Sequence, residues 1–179
     1  MRKPRMMPIA ITVVISAAAL FGGWMLYKQV AVASPLTDAV ANVPGIANAD
    51  KPVIEQDKVS VSVELSDEAS LKDVYTSVTE QGKALAGKRK LDIVIQNEED
   101  ASLNAIWQEA MFDIAQAMET KTYSDIPKTM ERVASGHDGV ETVTDMDGTN
   151  VYVTIKNAGG AKYIVLPRTP NQMGVWPNA

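Results

Sequence analysis

Two stretches in the middle of the chain alternate apolar and polar residues, as half-buried β-strands do. The first is VSVSVEL, residues 59–65, and the second is KLDIVIQ, residues 90–96. Between them, apolar residues recur at helical spacing: Leu71, Val74, Tyr75, Val78 and Leu85. Ser70 with Asp73 resembles a capping box at the start of this helix, and Gly87 ends it. The helix is long enough for a crossover, so this β-α-β unit can place its two strands parallel.

A longer helix is predicted after the acidic stretch NEED, residues 97–100. Apolar residues recur there at intervals of three and four: Leu103, Ile106, Trp107, Ala110, Met111, Ile114 and Met118. The preceding acidic residues favour the positive end of the helix dipole. A shorter helix begins at Ser124 or Asp125, just ahead of Pro127, and ends at Gly136. At this spacing the tryptophan and the methionines are expected in the core, although they would also suit a partner surface.

The sequence after these helices returns to alternation and predicts three more strands. They are GVETVTDM at residues 139–146, VYVTIK at 151–156 and KYIVLP at 162–167. Asp147 and Gly148 form the predicted turn between the first two strands, and the glycines of NAGG form the next turn. Because both connections are short, the three strands are expected to form an antiparallel meander.

The predicted elements follow the order β-α-β-α-α-β-β-β, which indicates an α+β fold. The economical arrangement is a small two-layer domain in which the helices cover one face of a mixed sheet. The other face is expected to be wet, because it carries the polar residues Ser60, Ser62, Glu64, Asp92 and Thr154.

An uncharged and mostly apolar run occupies residues 6–27, ahead of this domain. As a helix rising ~1.5 Å per residue it would reach about 33 Å, enough for a hydrocarbon core of ~30 Å. Trp24 and Tyr27 lie at its far end, where aromatic rings favour the membrane interface. The positive residues Arg2, Lys3 and Arg5 precede it and predict a cytoplasmic N-terminus. We therefore expect a single-pass signal anchor with the C-terminal domain outside the cytoplasm.

A cleaved signal peptide is the alternative interpretation of the same run. Ala31, Val32 and Ala33 followed by Ser34 have the small-x-small pattern of a signal peptidase site, which would release the protein after Ala33. The apolar run is longer than the roughly 7–15 residues of a signal peptide, which favours a retained anchor. Both interpretations export the domain.

The predicted organisation has five parts. Residues 1–5 form a cytoplasmic basic tail, 6–27 the transmembrane helix, 28–57 a flexible linker, 58–168 the extracytoplasmic α+β domain, and 169–179 a loose tail. The linker is inferred because prolines and a glycine interrupt every short apolar patch in it: Pro35, Pro44, Gly45 and Pro52.

Charge and composition exclude several classes of function. All 22 acidic residues but only 13 of the 17 basic ones follow Lys28, which gives that part a formal charge of −9. Such an acidic body is repelled by nucleic-acid phosphates, so we expect no nucleic-acid partner. The chain has no cysteine, which excludes disulfides and thiolate metal sites.

No catalytic, cofactor-binding or metal-ligating residue is assigned from the sequence, and no cofactor is expected. The single histidine, His137, stands in the glycine-flanked stretch SGHDG and is expected in an exposed loop. DMDGTN, residues 145–150, lacks the spacing and closing glutamate of a calcium loop, so it is interpreted as a hairpin turn. No glycine-rich phosphate loop follows a strand. GKRK, residues 87–90, is a basic spot that forms either a helix-end loop or a docking point for an acidic partner or wall polymer.

These observations predict a non-catalytic, membrane-anchored protein. Its outer domain is expected to act through contact with a protein partner or by self-association, as a structural or regulatory subunit of an envelope assembly. The alternative is an exported module that binds cell-wall polymer or a small ligand. An enzyme built on carboxylates alone is the third hypothesis. Trp176, near the C-terminus, is expected to pack against the domain or against a partner.

Overall fold

The computed structural model describes residues 6–28, 33–97 and 100–169. Several positions used in the sequence interpretation lie outside these ranges: Arg2, Lys3, Arg5, Ala31, Val32, Glu98, Glu99 and Trp176. The helices are α1 Met6–Lys28, α2 Ser34–Ala41, α3 Leu71–Ala86, α4 Ala101–Glu119 and α5 Asp125–Ala134. The strands are β1 Ile46–Ala49, β2 Val53–Ile54, β3 Lys58–Leu65, β4 Lys90–Ile95, β5 Glu141–Met146, β6 Asn150–Asn157 and β7 Gly160–Pro167.

Helix α1 keeps its described side chains, those of residues 11–24 and 27, in exposed positions. The large apolar ones include Leu20, Phe21 and Trp24, with Phe21 78% exposed. Across the described ranges, no helix combines the length and apolarity that a membrane crossing requires.

The first sheet is mixed and is centred on β3. Strand β4 lies parallel to β3 in a register that runs from Lys58 opposite Lys90 to Val63 opposite Ile95. Strands β1 and β2 pair antiparallel with β3 on its other side. Pro52 separates these two short strands, as suits an edge position, because proline has no main-chain N–H to donate. Helix α3 makes the crossover between β3 and β4, the connection that its predicted length allows for a parallel pair.

The second sheet is the antiparallel meander β5-β6-β7, as predicted for these strands. It is separate from the first sheet, so the prediction of one mixed sheet is wrong. Short turns connect β5, β6 and β7, and they therefore pair with one another, whereas alternation alone does not specify which distant strands become neighbours.

Two hydrophobic cores lie on opposite faces of the second sheet. One core joins α2, α3 and the first sheet and also receives Tyr152, Tyr163 and Val165 from the second sheet. The other lies between α4, α5 and the opposite face of the second sheet, and includes Val151, Val153, Ile155, Ile164 and Leu166. Helices therefore pack against both faces of the second sheet, so the prediction that they cover one face only is wrong. Thr154, which we expected on a wet face, is 6% exposed, because both faces of β6 are covered.

The flexible linker predicted for residues 28–57 is wrong from Ser34 onward. Leu36, Val40 and Val43 are buried in the first core. Leu36 and Val40 are four residues apart on one side of α2, and Val43 follows the end of the helix. Pro35 lies in the first turn of α2, where a missing N–H does little harm. Gly45 follows with a φ of 91°, and a Cβ there would come within 2.9 Å of Val74. In this segment the prolines and the glycine lie at the ends of folded elements and between them.

The three other helices of the folded part confirm the sequence prediction. Ser70 accepts a hydrogen bond from the Asp73 main-chain N–H at the start of α3. Asp100 caps α4 by accepting from the main-chain N–H groups of Ser102 and Leu103. Trp107 is 3% exposed in α4 and therefore belongs to the core, as predicted.

Candidate functional site

A polar cleft of about 450 Å³ lies at the carboxyl ends of β3 and β4. Parallel strands end at the same edge of a sheet, where open α/β sheets usually bind their ligands. The remaining wall is the β6–β7 turn, which approaches from the second sheet. The residues that line the cleft are Glu64, Leu65, Asp67, Gln96, Asn97, Tyr163 and the segment 156–161.

Asn97 joins the two sheets at the floor of this cleft. Its side-chain Oδ1 accepts a hydrogen bond from the Tyr163 main-chain N–H at 2.6 Å. Its Nδ2 donates to the Tyr163 main-chain oxygen at 3.3 Å. The amide therefore pairs with β7 as a neighbouring strand would, and holds the end of β4 against the second sheet.

Asp100 and Asn157 hold the β6–β7 turn against the start of α4. Asp100 accepts hydrogen bonds from the Ser102 hydroxyl at 2.6 Å and from Asn157 Nδ2 at 3.0 Å. These bonds, led by the one from Ser102, lower the pKa of the Asp100 carboxyl to about 2. A Cβ at Gly159 would come within 3.1 Å of Asp100 Oδ2, so the turn can approach this closely because residue 159 is glycine. The β6–β7 turn that forms this wall of the cleft is therefore held in place by hydrogen bonds to the start of α4.

Several groups that line the cleft take part in hydrogen bonds. Gln96 Nε2 donates to Asp50 Oδ2 at 2.6 Å, and Lys156 Nζ donates to the main-chain oxygen of Asp67. The described lining contains carboxylates, amides, one ammonium group and a buried tyrosine, and no histidine, serine or threonine. Nucleophilic catalysis of the Ser-His type needs a hydroxyl beside an imidazole, and the described lining does not contain those residues.

A second polar network closes the β5–β6 hairpin. Asp147 accepts hydrogen bonds from the main-chain N–H groups of Thr149 at 2.6 Å and Asn150 at 2.7 Å, and from the Tyr152 hydroxyl at 2.7 Å. Partial burial opposes ionisation of Asp147, but these bonds outweigh it and lower its pKa to about 2. Burial and the bond to Asp147 raise the pKa of Tyr152 to about 12. Nearby, Lys72 and Asp145 form an ion pair at 2.9 Å.

The candidate positions named from the sequence lie in an exposed loop, in a hairpin turn and in the connection between α3 and β4. His137 is in an exposed loop, as predicted, with Nε2 3.4 Å from Glu109 Oε2. DMDGTN forms the hairpin turn, as predicted, and its two aspartates are occupied by the contacts just described. Among the described residues there is no group of three or more metal-ligating side chains. The basic stretch 87–90 runs from the end of α3 into Lys90, the first residue of β4.

The cleft itself was missed in the sequence. Gln96 and Asn97 follow β4 directly, and Glu64 is near the end of β3, so the rule for parallel strands places them at one edge. That signal was available once β3 and β4 were taken as parallel. The contribution of Asn157 was not readable, because it depends on how the two sheets meet.

No protein-family model matches the sequence, and no curated protein or solved structure matches it either.

Proposed function

We propose that this chain is a single-pass membrane protein whose folded part lies outside the cytoplasm and acts through non-covalent contact with other proteins. Its role is that of a structural or regulatory subunit of an envelope assembly. The N-terminus is cytoplasmic, and residues 6–27 are the anchor. The observation that carries the proposal is the exposed apolar surface of α1.

Apolar side chains on all sides of α1 find no cover in the described part of the chain. Ile11, Leu20 and Phe21 are each more than half exposed, although they belong to different turns and sides of the helix. Burying apolar area is worth about 25 cal/mol per Å². A helix that is apolar all round is typical of a buried or membrane-spanning segment. The anchor is inferred from the uncharged run between Arg5 and Lys28.

Two features support protein contact as the mode of action. The described lining of the cleft has no histidine, serine or threonine, so it lacks the residues of a Ser-His nucleophile–base pair. The folded part also exposes large apolar side chains away from the anchor, among them Phe112, Val143 and Met146. These exposed apolar side chains are available for burial against a partner.

Carbonate extraction tests the anchor. Membranes from cells that produce the chain are washed at alkaline pH and separated by sedimentation. We expect the chain in the pellet with its N-terminal Met1 segment intact by mass spectrometry. Recovery in the supernatant would contradict the anchor.

Crosslinking tests the contact. An amine-reactive crosslinker is added to intact cells, and the chain is purified in denaturing detergent. We expect discrete adducts of reproducible mass that disappear when the cells are first solubilised and diluted in mild detergent. An uncrosslinked monomer at every crosslinker concentration would contradict action through protein contact.

An exported binding module is the second candidate, and the cleft favours it. A cleft of this size can hold a small ligand or part of a polymer. If the chain is released by cleavage after Ala33, the mature protein begins at Ser34. Detection of that N-terminus in the medium, together with sedimentation on purified wall material, would favour this candidate over the anchored subunit.

A further inference from the structure

Strand β5 is an outer edge of the second sheet. It pairs with β6 on one side, and no other described strand pairs with it. Its side chains are unusually accessible for a strand of a packed sheet, with Val143 59% and Met146 44% exposed. A free edge carries main-chain donors and acceptors that another strand can use.

The hydrogen-bond phase of the hairpin identifies which groups are free. The Asp147 N–H donates to the Asn150 oxygen at 3.0 Å, so this pair is of the hydrogen-bonded type. The types alternate along an antiparallel ladder, so Val143 and Asp145 direct their main-chain groups toward β6. Thr142 and Thr144 direct theirs away, and no main-chain bond to them is found in the described ranges. The main-chain N–H and C=O groups of these two threonines can form a short hydrogen-bonded ladder with an incoming strand.

The side chains beside that ladder have a symmetric charge pattern. Glu141, Val143 and Asp145 lie on one face of β5, opposite Lys156, Thr154 and Tyr152 of β6. The order acidic, apolar, acidic is the same in both directions. An added strand that carries basic, apolar and basic residues at alternate positions therefore matches it whether parallel or antiparallel.

The basic residues already near this face of β5 pair with only part of its acidic side chains. Lys72 Nζ bonds Asp145 Oδ1, which also accepts from the Met146 N–H. Lys156 lies across from Glu141 but donates to the Asp67 main-chain oxygen. The carboxylate of Glu141 is therefore the main unpaired charge that an incoming strand meets.

A second copy of this chain is a poor occupant. Antiparallel pairing of two β5 strands about Val143 would place Glu141 of one copy opposite Asp145 of the other. Pairing about Thr144 would place Glu141 opposite Asp147. Like charges directly opposite each other are destabilising in a sheet, so self-pairing is opposed in both registers.

We propose that β5 binds an extended segment of a partner protein as an additional strand. The segment carries Lys or Arg at two positions four residues apart and a β-branched residue midway between them. This inference rests on the proposed function and specifies the surface and the kind of partner.

The test uses the full chain in detergent micelles and a synthetic peptide, Thr-Lys-Thr-Val-Thr-Lys-Thr-amide, with a fluorophore on its N-terminus. The matched control peptide has Glu in place of both Lys residues. Fluorescence anisotropy measures affinity, and NMR-detected hydrogen exchange locates the contact. We expect the basic peptide to slow exchange at the Thr142 and Thr144 amides, and the acidic peptide to bind about tenfold more weakly, because two cross-strand pairs change sign.

Two variants sharpen the result. Thr144→Pro removes an outward N–H, a change that edge strands tolerate, and is expected to abolish peptide binding while the thermal midpoint stays near that of the parent. Glu141→Lys, at an exposed position, is expected to reduce the preference for the basic peptide, which keeps the proposal testable if Thr144→Pro does not fold.

Four outcomes would overturn the inference: no binding by either peptide, equal binding of both, protection at amides other than Thr142 and Thr144, or unchanged binding by the folded proline variant. Each of these outcomes would show that β5 does not bind a segment of this kind. Failure of the anchored-subunit proposal would instead appear in carbonate extraction and cellular crosslinking, so the two failures are distinguishable.

Discussion

Asn97 and Tyr163 are linked by two hydrogen bonds, in which the side-chain amide of Asn97 meets both main-chain groups of Tyr163. The bonds connect the end of β4 to β7 and thus the first sheet to the second. They also set the position of the cleft, since the two residues contribute to its lining.

Removal of the Asn97 amide should therefore destabilise the junction between the sheets. In Asn97→Ala, the partly buried main-chain groups of Tyr163 lose their two hydrogen bonds to the Asn97 amide, and we expect a loss of about 1–3 kcal/mol in the free energy of unfolding. Thermal unfolding of the full chain in detergent, followed by near-UV circular dichroism, measures this loss.

The matched control is Gln96→Ala, one residue earlier. The Gln96 side chain makes an exposed hydrogen bond to Asp50, so its removal should change the stability by no more than about 0.5 kcal/mol. Equal effects of the two substitutions would show that the sheets are not joined through Asn97.

Leu36 tests whether the segment before β3 is folded. It is fully buried in the first core, so Leu36→Ala should cost about 2–5 kcal/mol of stability. Val53→Ala, which truncates an exposed side chain of β2, is the control and should be nearly neutral. If Leu36→Ala unfolds at the parent temperature, the segment is a linker after all.

Gly45 offers an independent test of the same segment. Gly45→Ala places a Cβ against Val74 and Ala69 at a positive φ, so we expect a loss of about 1–3 kcal/mol. Gly148→Ala, where a Cβ would meet nothing within 4 Å, is the control. Indistinguishable unfolding midpoints for the two variants would contradict the close packing of Gly45 on α3.

Stability should fall in acid because of Asp147. Its pKa is about 2 in the folded chain, below the ordinary value of 3.8. A lowered folded-state pKa contributes stability above the unfolded-state value and loses it as the pH falls from about 4 toward 2. In Asp147→Asn this part of the pH dependence is absent, so the decrease in thermal midpoint between pH 4 and pH 2 should be smaller than in the parent.

Asp138→Asn, in an exposed loop, is the control for that experiment and should retain the acid response of the parent. An unchanged acid response in Asp147→Asn would mean that the hairpin network does not depend on the ionised carboxylate.

The sequence predicted individual elements well where one side of the element is buried. Alternation at Val59, Val61 and Val63 identified β3, and the spacing of Leu103, Ile106 and Ala110 identified α4, because a single buried face leaves a periodic trace. Elements whose evidence is short or interrupted were missed. Helix α2 buries Leu36 and Val40, but prolines lie on both sides of so short a pattern.

Contacts between elements were not readable from the same patterns. Alternation does not reveal that Asn97 pairs with Tyr163, because a side-chain amide that replaces a strand leaves no periodic trace. The division into two sheets was not readable from the sequence either. Both faces of β6 are buried, and each face is covered by a different set of helices. The cleft wall formed by the β6–β7 turn depends on how the two sheets meet, so only the part at the ends of β3 and β4 could be predicted from the sequence.

The central claim is the orientation of the chain across a membrane, and single-cysteine labelling tests it most directly. The chain contains no cysteine, so one introduced thiol reports one position without background. Asp138→Cys lies in an exposed loop of the folded part, and Pro4→Cys lies in the predicted cytoplasmic tail and leaves its positive charges in place. A membrane-impermeant maleimide is added to cells before and after lysis.

We expect Asp138→Cys to react in intact cells and Pro4→Cys to react only after lysis. Labelling of Asp138→Cys only after lysis would place the folded part inside the cell and contradict the account.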